Sequence, residues 1–379
     1  MQYIYFFGNG QADGAAENKS LLGGKGANLA EMTNLGIPVP PGFTINTEVC
    51  THYMKSGNYP HQLERQFEIA LKKVEKVMGQ KFCDIKNPLL VSVRSGAQQS
   101  MPGMMETVLN LGLNDDIAEG LTALTGDEHF TYDVYRRFVQ MYAKVVLGME
   151  GSRFERAMEE RQRIAGVNGS GDLSPQDLRE MTAEFQRMLK ATTGAEIPED
   201  PLVQLRQSIV AVFDSWNSRR AIDYRNFHGI SHDHGTAVNV VVMVYGNMDD
   251  DSCTGVCFTR DPGSGEKKLY GEYLVNAQGE DVVSGAITPR EIAHLSDEMP
   301  RVYKDLTEAT KVLERHYRDV QDVEFTVEQG KLYILQTRSA KRSAKAAVVT
   351  AVDMVEEGII TKSEALLRVT PDQIYQLLL

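Results

Sequence analysis

Apolar positions recur at two different periods along this chain, and the changes of period mark its parts. Tyr3–Phe7 is a short, nearly unbroken apolar run of strand length. Leu21–Leu35 carries apolar residues at helical spacing and stops at Gly36. Pro38–Phe43 predicts a loop entering a strand, Thr47–Gly57 and His61–Met78 predict helices, and Leu89–Val93 predicts another strand. From 112 to 197 the pattern is helical. Tyr132–Leu147 aligns Val134, Phe138, Met141 and Val145 on one stripe, with Gly148 after it. Ser152–Ile164 is a charged helix, and Gly166–Gly171 is a loop. Ser174-Pro175 reads as an N-cap and first helical position for a helix to about Leu189.

Beyond Pro198-Glu199-Asp200 one long helix is expected, about Pro201–Phe227. Thr236–Tyr245 is a fully apolar β run. Val256–Thr259, Leu269–Val275 and Asp322–Arg338 add strands, and Pro300–Arg315 adds a helix. After Arg338 come a basic linker, Ser339–Lys345, and a helical stretch ending on the amphipathic Tyr375–Leu379. The expected division is a first α/β lobe from 1–111 and 198–235, a helical insert at 112–197, a second α/β lobe at 236–340 and a helical linker at 341–379.

Composition narrows the partners. A net charge of −12 argues against nucleic acid or an anionic membrane as the main partner. There is no apolar run of about 18 residues, and the N-terminus lacks the basic and apolar regions of a secretion signal. Cys253-x₃-Cys257 has no second pair, so the four cysteines read as reduced intracellular thiols rather than a zinc site. His232-x-His234 has no third ligand and reads as a solvent loop. Gly8-x-Gly10-x₃-Gly14 lacks dinucleotide spacing.

Three stretches carry chemistry. Arg94 ends a strand and is followed by Met101-Pro102-Gly103-Met104-Met105. An arginine there suits bidentate phosphate binding, and two thioethers beside a glycine suit a lid over a flat ring. A surface ion pair and a core plug fit the same residues. Leu22-Gly23-Gly24-Lys25-Gly26 is not a P-loop, because no Ser or Thr follows the lysine. It fits either an anion-binding helix start or a tight turn with a solvated lysine. In Asp322–Arg338, a three-residue loop Glu328-Gln329-Gly330 pairs Val327 with Lys331 and sets Asp322 opposite Gln336. Alternation then puts Val323, Phe325, Val327, Tyr333 and Leu335 on one face, and Asp322, Glu324, Gln336 and Arg338 on the other. That second face fits a water-facing surface or a hard-oxygen site for Mg²⁺. Glu280 and Asp281, after Leu269–Val275, fit a ribose contact or a helix cap.

Five segments resemble the N-terminal nucleotide-binding domain of the pyruvate, phosphate dikinase family, in family order. They are Leu22–Ala27, Val93–Gly112, Gly255–Pro262, Asn276–Gly285 and Asp322–Arg338. The resemblance implies an α+β or α/β fold of the ATP-grasp kind, with ATP as substrate and Mg²⁺ as cofactor. It implies that Lys25 and Arg94 contact the ATP phosphates. It sets Glu324 and Gln336 at the metal, with Asp322 as a third candidate ligand and Arg338 beside them. Lys25, Arg94 and Arg338 would be the catalytic cations. Gly103, Met104, Met105, Val241 and Met243 would line the adenine slot, and Glu280 and Asp281 would hold the ribose. The chain departs from the family at Val241-Val242, where a glutamine and a small or polar residue are usual.

The resemblance further implies that ATP and inorganic phosphate give AMP and diphosphate, with the β-phosphoryl passing to a histidine in a Gly-Gly-x-Thr-Ser-His segment of a central domain. None of the eight histidines stands in such a segment, so the chain reads as a fragment lacking that domain and the pyruvate-converting barrel. The expectation is a monomeric fragment of a homodimeric enzyme, in the cytoplasm or a peroxisome-like organelle. The alternatives are the ATP module of a water-using dikinase of the phosphoenolpyruvate synthase type, an ATP-grasp ligase, or a non-catalytic nucleotide-binding module. The SMPGMMETVLNLG stretch favours the phosphate-using family.

Overall fold

A computed structural model describes residues 1–284 and 288–378. Gly285, which ends one of the five matched segments, and Leu379 lie outside the described residues. The chain forms two compact units. One comprises Met1–Asn34 and Pro40–Met243, the other Leu35–Val39 and Val244–Leu379.

The first unit is built on a six-stranded antiparallel sheet. In chain order its strands are β1 (Ile4–Gly8), β2 (Gln11–Ala12), β3 (Gly42–Ile45), β4 (Val91–Ala97), β5 (Thr107–Leu111) and β6 (Thr236–Val242). They lie in the order β2-β1-β3-β6-β4-β5. Every residue of β6 is buried, which is why its sequence reads as a mostly apolar run rather than an alternation, with Thr236 and Asn239 as its polar members. Two expectations are corrected here. The strand ends at Val242, not Tyr245, with the Val242 and Met243 N–H groups still bonded to the Pro41 and Leu90 carbonyls (both 2.9 Å) in register with β3 and β4. It also pairs with β3 and β4 of this sheet, not with the strands that follow it.

Four helices fill the stretch from 115 to 193: Asp115–Thr125, Glu128–Val145, Gly151–Ala165 and Pro175–Thr193. The last starts as its sequence dictates, with Ser174 Oγ accepting from the Asp177 N–H at 3.1 Å. The single helix expected over 201–227 is two, Pro201–Ser215 and Arg219–His228. Ser218 caps the second by accepting from the Ala221 N–H at 3.3 Å, and this restart breaks the run. His232, expected in a solvent loop, accepts at Nδ1 from Arg225 Nε at 2.9 Å, and that buried guanidinium stacks on Trp216 at 4.1 Å.

The second unit holds a five-stranded antiparallel sheet in the order β11-β10-β7-β8-β9. The strands are β7 (Cys253–Phe258), β8 (Tyr270–Val275), β9 (Arg290–Glu291), β10 (Gln321–Glu328) and β11 (Lys331–Ser339). The Pro300–Tyr317 helix packs on β10 and β11 and buries Val302, Leu306, Ala309 and Leu313, one helical stripe. Cys253 and Cys257 pair with Val327 and Val323 and are buried thiols. Burial pushes the Cys253 thiol up to about 12. Residues 35–39 join this unit, with the Ile334 N–H bonding Pro38 O at 2.7 Å. The Ala344–Glu356 helix is part of it too. Wholly buried Arg260 reaches Glu314 at 2.8 Å and Glu357 at 2.9 Å, tying that helix to the sheet end.

Candidate functional site

In the first unit the Lys19–Asn34 helix is interrupted at Gly23, whose backbone is non-helical (φ 68°, ψ 172°). A Cβ at Gly23 would fall 1.6 Å from Gly96 O. Only glycine permits both that φ and that contact. The helix therefore touches the end of β4, the strand that carries Arg94, and restarts at Gly24. Lys25 stands half-buried in the first turn after the restart. A helix start with a lysine, held against a strand with an arginine, is an anion-binding arrangement.

The sheet beneath is polar where Arg94 lies. Arg94 pairs with Asn239 on β6 and Thr107 on β5. Its Nε donates to Ser92 Oγ at 3.2 Å, and that hydroxyl donates to Val241 O at 3.2 Å. Ser92 pairs with Val241, so Arg94 and Val241 share one face of the sheet.

The methionine loop goes elsewhere. Met101 is buried with Trp216 and Ile230, and Met104 and Met105 pack half-buried on that cluster. Gly103 is exposed at φ 71° in a turn closed by the Met104 N–H on Met101 O at 3.1 Å. Met243 is half-buried beyond the end of β6.

In the second unit the β10–β11 hairpin corrects the predicted register. Its turn has two residues, Gln329 and Gly330, both with positive φ (50° and 73°). Gln329 N–H bonds Ser252 Oγ at 3.0 Å and Gly330 N–H bonds Asp251 O at 2.9 Å, which fixes the turn. Glu328, not Val327, pairs with Lys331. A bulge between Glu324 and Phe325 then leaves Leu335 unpaired. Beyond it Glu324 stands directly opposite Gln336, and Asp322 opposite Arg338. Tyr333 pairs with Thr326 and so lies on the Glu324 face, while Leu332 and Ile334 pair with Val327 and Phe325 on the apolar face.

Arg338 Nε donates to Asp322 at 2.7 Å, and Arg338 Nη2 lies 3.9 Å from Glu324 Oε1. Burial works against the Arg338 charge, but the Asp322 bond and charge, with Glu324, hold its pKa above the usual arginine value. Among the described residues no three His, Cys, Asp or Glu side chains gather to hold a metal. Glu324 and Gln336 offer one carboxylate and one carboxamide on adjacent strands. Such a pair suits Mg²⁺ when phosphate oxygens and water complete its octahedron.

Asp281 accepts from the Gln278 N–H at 2.9 Å and so caps its own short helix, Gly279–Ser284, where Glu280 is exposed. Gly279 approaches Thr254, which pairs with Thr326 on the Glu324 face. The local sequence pattern does not single out the polar neighbours that these groups acquire, Thr44, Ser92 and Asn239 in the first unit and Thr254 and Thr326 in the second. One signal was available, the lone amide side chain, Asn239, in the middle of the run 236–245.

A family model described as "Pyruvate phosphate dikinase, AMP/ATP-binding domain" matches residues 19–305 and 294–358. The chain is 49% identical over 390 residues to pyruvate, phosphate dikinase of Rhizobium meliloti (strain 1021), covering all of this chain and 43% of that protein. It is 50% identical over 379 residues to pyruvate, phosphate dikinase of Clostridium symbiosum, with the same coverage. To the chloroplastic pyruvate, phosphate dikinase 1 of Arabidopsis thaliana it is 50% identical over 376 residues, 99% of this chain and 39% of that one. The chain thus spans about two fifths of the length of these relatives. Among the described residues no helix is long and apolar enough to cross a membrane.

Proposed function

We propose a function from the premise that this chain belongs to the pyruvate phosphate dikinase, AMP/ATP-binding domain family. It is the ATP-binding, phosphoryl-donating module of an enzyme that turns ATP, inorganic phosphate and pyruvate into AMP, diphosphate and phosphoenolpyruvate. Lys25 and Arg94 take the polyphosphate, Lys25 as a point charge and Arg94 as a fork. Glu324 and Gln336 hold Mg²⁺, with Asp322 orienting Arg338 beside them. Mg²⁺ supplies neutralisation of phosphate charge. Arg338 gives a fixed cation for the charge of the migrating phosphoryl group. The β-phosphoryl goes to a histidine outside this chain, so the residues here contribute positioning and electrostatics rather than a covalent step. The fold reads as ATP-grasp-like, and the isolated chain as a monomer.

The observation that carries this reading is the contact of Gly23 with the Gly96 backbone, which sets the Lys25 helix start on the Arg94 strand. Titrating the chain with Mg·ATP tests it. Replacing both Lys25 and Arg94 by Ala removes two charge-assisted contacts and weakens binding about a hundredfold or more. A double variant that melts like the wild type and binds Mg·ATP equally well overturns the assignment.

A further inference from the structure

Asn239 is wholly buried in the middle of β6, among valines. Its Oδ1 accepts from Thr44 Oγ1 at 2.8 Å, and its Nδ2 donates to Arg94 O at 3.4 Å. Two glycines crowd the same amide. A Cβ on Gly96 would lie 2.6 Å from Asn239 Nδ2, and a Cβ on Gly26 would lie 2.8 Å from Asn239 Oδ1 and from Thr44 Oγ1. One side chain is therefore gripped by the strand of Arg94, by the helix of Lys25 and by the neighbouring β3. Packing alone does not call for it. An apolar residue of similar size would fill the space without the cost of burying an amide.

We propose that Asn239 is a positioning residue for the polyphosphate-binding pair, setting the Lys25 helix at a fixed height and angle over the Arg94 strand. This rests on the assignment of Lys25 and Arg94 to the phosphates. Asn239 is buried and acts through those two residues. A cation pair that must meet adjacent phosphates loses affinity when its spacing relaxes, because rigid placement of charge is what the site supplies. The prediction is specific. Loss of Asn239 affects the part of the ligand that Lys25 and Arg94 hold, and not the nucleoside.

The test compares Mg·ATP with AMP on the full chain, by titration, alongside thermal melts. Asn239→Leu removes both bonds and keeps the branched shape with added volume, and Thr44→Val removes only the Thr44 bond at near-constant volume. Lys25→Ala serves as the reference for the underlying assignment. The Kd for Mg·ATP rises about tenfold in Asn239→Leu and about threefold in Thr44→Val, while the Kd for AMP stays within about twofold of the wild type. If Lys25→Ala leaves the ATP-to-AMP ratio unchanged, the phosphate assignment itself has failed and the positioning role falls with it. If Lys25→Ala weakens Mg·ATP relative to AMP but the folded Asn239→Leu and Thr44→Val variants keep the wild-type ratio of the two Kd values, the positioning role alone is overturned. Equal weakening of both nucleotides also overturns it, since that is the signature of general loosening. Should Asn239→Leu fail to fold, the ratio in Thr44→Val decides by the same criterion.

Discussion

The two units place their charged groups by different means. In the first, Lys25 is located by main-chain contact, glycine against glycine, with a buried amide as spacer. In the second, Glu324, Gln336, Asp322 and Arg338 are located by strand pairing and its alternation. A backbone clamp has no slack, so position and stability depend on the same atoms. A hairpin separates them, because one face holds the core and the other holds the polar groups.

The largest effect expected follows from the clamp. Gly23→Ala places a methyl 1.6 Å from Gly96 O on a residue at φ 68°. The helix must leave the strand, at a cost of roughly 3–5 kcal/mol from overpacking and left-handed strain together. Nucleotide affinity falls with it. Denaturant titration and Mg·ATP binding on the same variant read both quantities. A loss in one without the other breaks the contrast drawn between the units.

The hairpin predicts the opposite behaviour. Phe325 is wholly buried on the apolar face, and Phe325→Ala costs roughly 3–5 kcal/mol of stability through the cavity it opens. Glu324→Ala, one residue away on the other face, changes stability by within about 0.5 kcal/mol and weakens Mg·ATP binding. Paired melts and titrations decide. If Glu324→Ala destabilises as much as Phe325→Ala and binds Mg·ATP normally, the two faces are not separate and the metal assignment is wrong.

The hairpin also shows how much the sequence disclosed. Alternation places Glu324 and Gln336 on one face, although the actual turn is one residue shorter than the pattern predicts. The two-residue turn shifts the pairing by one position, and the bulge at Leu335 shifts it by one more. Two shifts restore the parity, so Gln336 and Arg338 stay on the Glu324 face with new partners. Tyr333 lies between turn and bulge, feels one shift only, and changes face. In the first unit the motif around Lys25 was visible but its contact with Gly96 was not, because about seventy positions separate them and local pattern carries no pairing information. The same holds for β6. Its apolar run announced a buried strand, while its neighbours depended on long-range pairing. Ser92 and Asn239 acquire meaning only once those neighbours are known.

The smallest effect sits at the hairpin tip and belongs to the second unit alone. Glu328 accepts from the Tyr245 N–H at 2.7 Å. Burial raises its pKa above the ordinary glutamate value of 4.5, against the pull of that N–H and of Lys331. A carboxyl raised by folding holds its proton more tightly in the folded chain than in the unfolded one. Its contribution to stability is therefore complete below pH 4.5 and is lost as pH rises through the folded value, after which it is level. Glu328→Gln keeps an acceptor for the Tyr245 N–H and cannot ionise. Its stability relative to the wild type should rise from pH 4.5 upward and then reach a plateau, in denaturant titrations across that range. The Gly23 clamp is made of main-chain atoms that do not titrate, so Gly23→Ala offset from the wild type should stay constant over the same window. Parallel wild-type and Glu328→Gln curves would place Glu328 in a water-like setting and remove this last distinction between the units.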